Sequence, residues 1–486
     1  MLLGLDLCTG SAKAILISPS GAVLGDGAVS YPVRSPRPGW AESDPRDWWE
    51  ACAEAVRGAV GERGTSVVAL GLSGQMHGVV LSDAEGNPVR PAVLWADTRS
   101  AALLDRYREL DAGLRGRLSN PLAAGMTGPS LLWLRDWELA AYRAARWALQ
   151  PKDWMRLRLT GEAFSEPSDA SATLLYDLRA DGWSRQVIEA LDLRADLLPP
   201  LVASGSSAGT LGPEAAGFFG LQAGLPVAAG GGDTAAALLG SGLLEPGYVQ
   251  LMVGTGAQIL SPRESPVPDP NLRTHLYRAA HDHPSGRYYS MAAMQNAGLA
   301  LEWALKVLGA SWEEAYGEAF SVPPGAGDVT FLPYLSGERT PHLDPQARGA
   351  WMGLGLAHGR AHLLRAAFEG VAFSLREGLE ALEDAGVLRA PELRLAGGGA
   401  LRAPWRQLLA DVLGRPLGLL PASVAPAASA RGAALLAGLA QGTYDSVEET
   451  SLIAPEVRET VLPRDDDRYE AAYARYRTLY PRLREP

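Results

Sequence analysis

Pro226–Leu239, PVAAGGGDTAAALL, is the stretch around which this 486-residue chain is organised. Val227–Ala229 is short and apolar, as the end of a buried strand is. Gly230, Gly231 and Gly232 follow, and three glycines in a row let a backbone approach something without side chains intervening. Then come one carboxylate, Asp233, and an Ala/Leu run with the composition of a close-packed helix. Strand, glycine turn, acid and helix is the order in which open α/β sheets present chemistry at the carboxyl ends of their strands. On these residues alone Asp233 has two readings: the N-cap of a helix beginning at Thr234, or a carboxylate held out to a ligand.

Composition narrows the field around that stretch. The length suits two or three domains with ample core. A net charge of −11 leaves no basic footprint for nucleic acid. An anionic ligand can still be held by local backbone amides and single lysines, and there are three of these: Lys13, Lys152 and Lys306. Cys8 and Cys52 form no CxxC pair, so neither a zinc knuckle nor a disulfide framework is expected. The N-terminus MLLGLDLCTGSAK lacks a basic segment followed by a sustained apolar one, and no later run reaches a membrane-spanning length. The expectation is a soluble, cytoplasmic protein with no membrane partner.

The chain opens on a strand with an acid inside it, LLGLDL (Leu2–Leu7). Thr9, Gly10 and Ser11 make a small-residue turn, and KAILIS (Lys13–Ser18) returns as a second strand. A hairpin tip of amides, hydroxyls and a nearby lysine can cradle phosphate oxygens, although ordinary turns use the same residues. Asp6 tilts the reading towards function, because an acid in an apolar strand costs several kcal/mol (roughly 2–7) unless it is partnered. No GxxxxGK followed by Ser or Thr occurs, which excludes a P-loop. The plan then recurs: YVQLMV (Tyr248–Val253), Gly254-Thr255-Gly256, AQIL (Ala257–Leu260). Two such hairpins half a chain apart imply two similar α/β domains, each lending a tip to one cleft. Gly240–Gly247 reads as the linker, giving domains 1–243 and 244–486.

Between the hairpins, Asp44-Pro45 signals a helix running through Val60. Val67–Leu72 reads as a buried strand ending in Ser73-Gly74-Gln75-Met76-His77-Gly78, followed by a strand Val79–Leu81. His77 therefore sits on a tight connection between strands, open both to a structural reading and to ligand contact. Trp95-Ala96-Asp97-Thr98-Arg99 reads as the opening of a helix, with side chains suited to a hydroxyl-rich ligand. Ala361–Gly386 has helix periodicity at Leu364, Ala367, Phe368, Val371, Leu375, Leu379 and Leu382. The charged, Tyr-rich tail 464–486 reads as a terminal helix, on the surface or at a homodimer contact.

These segments together resemble the FGGY carbohydrate kinases nearly end to end. The resemblance rests on Asp6 with Thr9, Ser11 and Lys13; SGQMHG (Ser73–Gly78); LWADTR (Leu94–Arg99); PKDWMRLRLTGE (Pro151–Glu162); and SDASATLLYDL (Ser168–Leu178). GGGDTAA (Gly230–Ala236), LPYLSGERTPHLDPQARGAWMGL (Leu332–Leu354), the run from His362 to Glu369 and AGGGALRAPWRQLLADVLG (Ala396–Gly414) continue the series. The resemblance implies two duplicated actin-like (ribonuclease-H-like) α/β domains closing on a cleft, and an ATP-dependent sugar kinase using Mg²⁺. It implies Asp233 as the base taking a proton from the sugar hydroxyl, and Asp6 with Asp233 as metal ligands. Thr9, Ser11, Lys13, Gly254 and Thr255 would face the ATP phosphates, and Gly398 and Gly399 the nucleotide. Met76, His77, Trp95, Asp97 and Thr234 would border the sugar, while Glu338, Arg339 and His342 are expected to brace the cleft.

Xylulose is the first expected acceptor; ribulose, a polyol such as ribitol, and gluconate are the alternatives within the family. An ATP-driven binding protein of the same superfold is the alternative outside it. Four departures from the family pattern bear on detail. Cys8 replaces a glycine, Thr234 an asparagine and Ser130 a lysine, and Ala425–Gly438 lacks the usual acid at the start of its helix.

Overall fold

The computed structural model describes residues 1–397, 402–421, 424–464 and 467–484. Two mixed sheets organise it. The first contains β1 (Leu2–Leu7), β2 (Ser11–Ile17) and β3 (Val23–Ser30), then helix α1 (Pro45–Val60), β4 (Ala69–Gly74) and helix α2 (Pro151–Thr160). It is completed by β5 (Ser207–Thr210), β6 (Pro226–Ala228) and the two-residue β7 (Gly231–Gly232), and the helix α3 (Asp233–Gly240) follows. The second contains β8 (Val249–Val253), β9 (Ala257–Arg263), β10 (His275–Arg278) and β11 (Tyr288–Met294). Helix α4 (Arg360–Asp384), β12 (Leu393–Ala396), helix α5 (Ala403–Leu413), β13 (Leu417–Leu419), helix α6 (Ala428–Gln441) and β14 (Glu459–Val461) complete that half.

The duplication suggested by the two hairpins extends through the sheets. The first sheet runs β3–β2–β1–β4–β6–β5 and the second β11–β9–β8–β12–β13–β14, with β10 added outside β11. Both follow the same succession of pairings: antiparallel, antiparallel, parallel, parallel, antiparallel. Parallel neighbours need crossover helices on the faces, and the buried strands LLGLDL and VQLMV are accordingly near-continuous apolar runs.

Local signals hold at several elements. Asp44 caps α1 by accepting the Arg46 amide at 3.0 Å, with Pro45 in the first turn. Helix α4 buries the whole predicted stripe from Leu364 to Leu382. Two local expectations shift. The strand expected over Val67–Leu72 runs Ala69–Gly74, in parallel register with β1. The segment 95–99 does not open a helix: the Asp97 carboxylate accepts the Arg99 amide at 2.9 Å and folds the chain back, and a short 3₁₀ turn begins only at Ala101. The tail forms helices Glu470–Arg477 and Leu479–Arg484, whose Tyr473, Tyr476 and Tyr480 pack into the core of the second half.

Three apolar cores result. One lies between the first sheet and α1, a second between the second sheet and α4, and a third joins the halves. The third is built by α3 and α6 lying together against β1 and β4. Although α6 comes late in the chain, it covers the first sheet. The seam is glycine-lined: a Cβ on Gly4 would stand 1.9 Å from the Ala430 carbonyl, on Gly71 1.9 Å from Ala433, and on Gly240 2.0 Å from Ala428. Residues 79–198 gather a further apolar cluster above the first sheet, beside the cleft. Among the described residues, no helix is long and apolar enough to cross a membrane.

Candidate active site

The opening stretch is gripped from behind. Arg156 of α2 donates to the Ala229 carbonyl at 2.6 Å, the Gly230 amide donates to the Ser204 carbonyl at 3.0 Å, and the Gly232 amide donates to Ser168 Oγ at 2.9 Å. Ser168 and Ser204 in turn donate to Glu166, within a wholly buried group of Lys152, Asp153, Arg156, Glu166 and Asp169. Breaking such a network by removing one partner costs about 3–5 kcal/mol, so the loop's shape is firmly fixed. Gly230 has φ +89°, and a Cβ there would lie 2.2 Å from the Leu72 carbonyl. That position needs glycine.

Asp233 thereby becomes the first residue of α3, and Gly232, not Asp233, takes the cap position. One oxygen, Oδ1, accepts the Thr234 amide at 2.7 Å; among the described residues its second oxygen meets no protein donor. Burial, with the nearby Asp6 charge adding to it, pushes the Asp233 carboxyl up to about 7, against the pull of the Thr234 amide. Asp6 is buried on β1, in register with Lys13 on β2 and Ser73 on β4. Ser73 Oγ donates to it at 2.7 Å and the Cys8 thiol at 3.0 Å. Burial and the Asp6 charge hold the Cys8 thiol far above its usual range, which makes it a donor and not a nucleophile.

A cavity of about 130 Å³ lies against this carboxylate, lined by Thr9, Met76, His77, Trp95, Asp233, Thr234, Gln258, Met291, Ala293 and Arg339. His77 is held in the left-handed region at φ +74°. Its Nδ1 is 2.8 Å from the Ala172 carbonyl, which can only accept, so Nδ1 carries the proton and Nε2 remains an acceptor. Burial, helped by Arg339, lowers the ring to about 3 and keeps it neutral. The Trp95 indole donates to Thr9 Oγ1 at 2.8 Å, tying the wall to the first hairpin. Thr234 Oγ1 is 2.7 Å from the Tyr289 hydroxyl and donates to Met76 Sδ at 3.1 Å. A second cavity of about 250 Å³ adjoins, sharing His77, Trp95 and Arg339.

The expected residues thus divide. Thr9, Met76, His77, Trp95, Asp233 and Thr234 share the small cavity. Asp97 lines the larger one, its carboxylate taken up by the Ala41 amide at 2.6 Å and by Arg99 at 2.7 Å. Lys13 reaches across to the Pro426 carbonyl at 3.0 Å, at the approach to α6. Ser11 begins β2, and Gly254 and Thr255 form the exposed tip of the second hairpin, where the Gly254 amide donates to the Gly256 carbonyl at 2.8 Å. Gly398 and Gly399 lie outside the described residues. Sequence reading missed Gln258, Met291 and Ala293 and placed Arg339 only as a brace. Gln258 occupies on β9 the place of Lys13 on β2, so the repeat itself carried a signal for it.

Among the described residues no three His, Cys, Asp or Glu side chains gather as a metal cluster. Asp6 and Asp233 are two neighbouring carboxylates, the Asp6 charge raising Asp233, with oxygen lone pairs to spare. That donor set suits a hard cation sharing its coordination with water or phosphate.

Comparison with known proteins places the chain. Residues 1–240 match the model of the N-terminal domain of the FGGY family of carbohydrate kinases, and residues 249–441 match that of its C-terminal domain. The xylulose kinase of Escherichia coli strain K12 is 38% identical over 99% of both chains. That of Klebsiella pneumoniae is 37% identical over 99% of this chain and 98% of its own. The crystal structure of a xylulose kinase from Rhodospirillum rubrum superposes with a TM-score of 0.87 at 29% identity, covering 99% of each chain.

Proposed function

The chain belongs to the FGGY family of carbohydrate kinases, and from that membership we propose that it transfers the γ-phosphoryl group of ATP to D-xylulose, giving D-xylulose 5-phosphate. The full-length likeness to xylulose kinases supports this acceptor. The observation that carries the reading is the small cavity in which a raised-pKa carboxylate, Asp233, faces a fixed acceptor nitrogen on His77.

Phosphoryl transfer asks the protein mainly for positioning and charge stabilisation. Asp233 accepts the proton of the sugar hydroxyl as that oxygen forms its bond to the γ-phosphorus and the bond to the ADP oxygen breaks. Its place at the start of α3 sets the positive end of the helix towards the phosphates. His77 Nε2 accepts a second sugar hydroxyl and fixes the acceptor's orientation, and Trp95 walls the sugar from solvent. The tips at Thr9–Ser11 and Gly254–Thr255, with Lys13, receive the triphosphate. Asp6 and Asp233 are the residues that would hold Mg²⁺, and the ion would supply positive charge to the transferring phosphoryl group.

The test is ADP release by the purified protein with Mg-ATP over a panel of ketoses, polyols and aldonates. D-xylulose should stimulate turnover most strongly; stimulation by none of the sugars would end the kinase reading. Asp233→Asn should lower kcat about 10²–10⁴-fold, the range of a lost general base, with ATP binding kept within a few-fold.

A further inference from the structure

Among the described residues, Arg339 is a guanidinium with no carboxylate in ion-pair reach. It lies in the connection between two short antiparallel strands, Thr330–Leu332 and Ala350–Met352, and that connection is rigidly tied. The Thr340 amide donates to the Ala293 carbonyl at 2.9 Å, Thr340 Oγ1 accepts the Ala293 amide at 3.0 Å, and the Glu338 amide donates to the Asp344 carbonyl at 2.9 Å. Glu338 is adjacent in sequence but spent elsewhere, accepting the Gln295 and Arg339 amides at 2.7 and 2.8 Å and the Asn296 side chain at 3.2 Å. Among the described residues the Arg339 side chain hydrogen-bonds only to His275 Nε2, at 2.9 Å. That contact makes Nε2 the acceptor and leaves the proton on His275 Nδ1, which is buried with no partner. The remaining guanidinium donors open into the small cavity and its neighbour, both of which Arg339 lines.

Desolvation weakens this cation, lowering Arg339 from its ordinary value, and the flanking imidazoles of His77 and His275 are both kept neutral. Asp233 shares the cavity, yet burial and Asp6 set its environment, while burial, Tyr277 and Glu338 set that of Arg339. Among the described residues Asp233 is bonded to the Thr234 amide and Arg339 to His275, with no ion pair between the two. An acceptor reaching Asp233 with one hydroxyl offers its other oxygens to the guanidinium. A cationic donor that lacks an acceptor is costly to bury, and a planar fork suits a carbonyl oxygen flanked by a hydroxyl.

We propose that Arg339 is the specificity-determining residue of the acceptor site, donating to the C2 carbonyl and adjoining hydroxyl of an open-chain ketose while Asp233 takes the terminal hydroxyl. This rests on the kinase reading above. It makes the ketone the feature by which this site separates its substrate from the matching polyol.

The experiment compares D-xylulose with xylitol, which keeps the carbon chain and replaces the carbonyl by a hydroxyl. Xylitol is read as a competitive inhibitor, so its binding is measured whether or not it turns over. In Arg339→Met, kcat/KM for D-xylulose should fall about 10–100-fold, the range of a lost charged hydrogen bond. The Ki of xylitol should rise at most about threefold, so the ketose preference shrinks about 3–100-fold. Arg339→Lys, which keeps the charge and loses the fork, should lie between the two and guards against a misfolded Met variant. An equal loss for ketose and polyol, or no loss for either, would overturn the assignment while leaving the kinase intact. A wild-type preference for an aldonate over D-xylulose would overturn it too, by making the guanidinium a carboxylate site. A wild-type protein that phosphorylates no sugar would take both readings down together.

Discussion

The β1/β2 and β8/β9 hairpins are copies that have diverged in one respect. Both are antiparallel pairs joined by a glycine-containing tip, and each lies beside a parallel strand in the same place of its sheet. In the first, Asp6 faces Lys13 across the ladder; at the matching pair of the second, Met252 faces Gln258. At this pair the first hairpin carries two ionic side chains and the second two neutral ones. A duplicated fold can thus supply symmetric walls for an asymmetric reaction.

The largest effect that bears on this contrast is the loss of its acid. Asp6→Asn should lower kcat about 10²–10³-fold, as removal of one preorganised electrostatic group does, whereas Met252→Leu should stay within about threefold in the same steady-state assay. If both fall alike, the hairpins share the charge role and the contrast breaks.

The pH profile sharpens the point. Asp233, pushed up to about 7 by burial and the Asp6 charge, is proposed to act as the base only when ionised. The rate should therefore rise with pH along an acid limb, falling about tenfold per unit below its apparent pKa. Limiting the divalent ion should move that limb up towards 7. Asp6→Asn should move it down, because one of the two causes raising Asp233 is then gone; a limb that stays in place separates the two carboxylates.

Smaller effects should divide by ligand. Lys13→Met should raise KM for ATP about 2–10-fold and Gln258→Met should raise KM for the sugar by a similar factor, each leaving the other constant near its starting value. The last effects are on stability, at the two tips. A Cβ on Gly256 would come 2.7 Å from the Met294 carbonyl, while Gly10 has nothing within 4 Å. Gly256→Ala should lose about 1–3 kcal/mol in a denaturant titration, and Gly10→Ala about 0.5 or less.

The repeat was legible because its signals are local: apolar runs broken by Gly/Thr turns, then an acid where no acid belongs in a strand. The opening stretch, α1 and α4 were legible for the same reason, since caps, prolines and periodicity act within a few residues. Asp97 shows where such reading stops. Its residue type suits a sugar, but its acceptors are consumed by Ala41, which lies 56 positions away, and by Arg99. Arg339 shows the opposite limit. A cation among Glu, Thr, Pro and His reads as a brace, and it takes the fold to show that Glu338 is committed to the Gln295, Arg339 and Asn296 donors and that Arg339 lines a cavity shared by both halves of the chain. Asp233 itself required both levels: sequence placed it at a strand-to-helix turn, and the buried group around Lys152 explains why that turn holds still.

The helix α6 has a consequence for how the protein is made. It forms one cover of the first sheet, yet it is translated about 200 residues after that sheet is complete. At roughly 5–20 residues per second, the apolar face made by Leu2, Ile15 and Ala69 waits about 10–40 s for Ala430, Ala434 and Leu435 to arrive. A chain terminated before Ala428 should accumulate as insoluble material even though every residue of its own sheet is present.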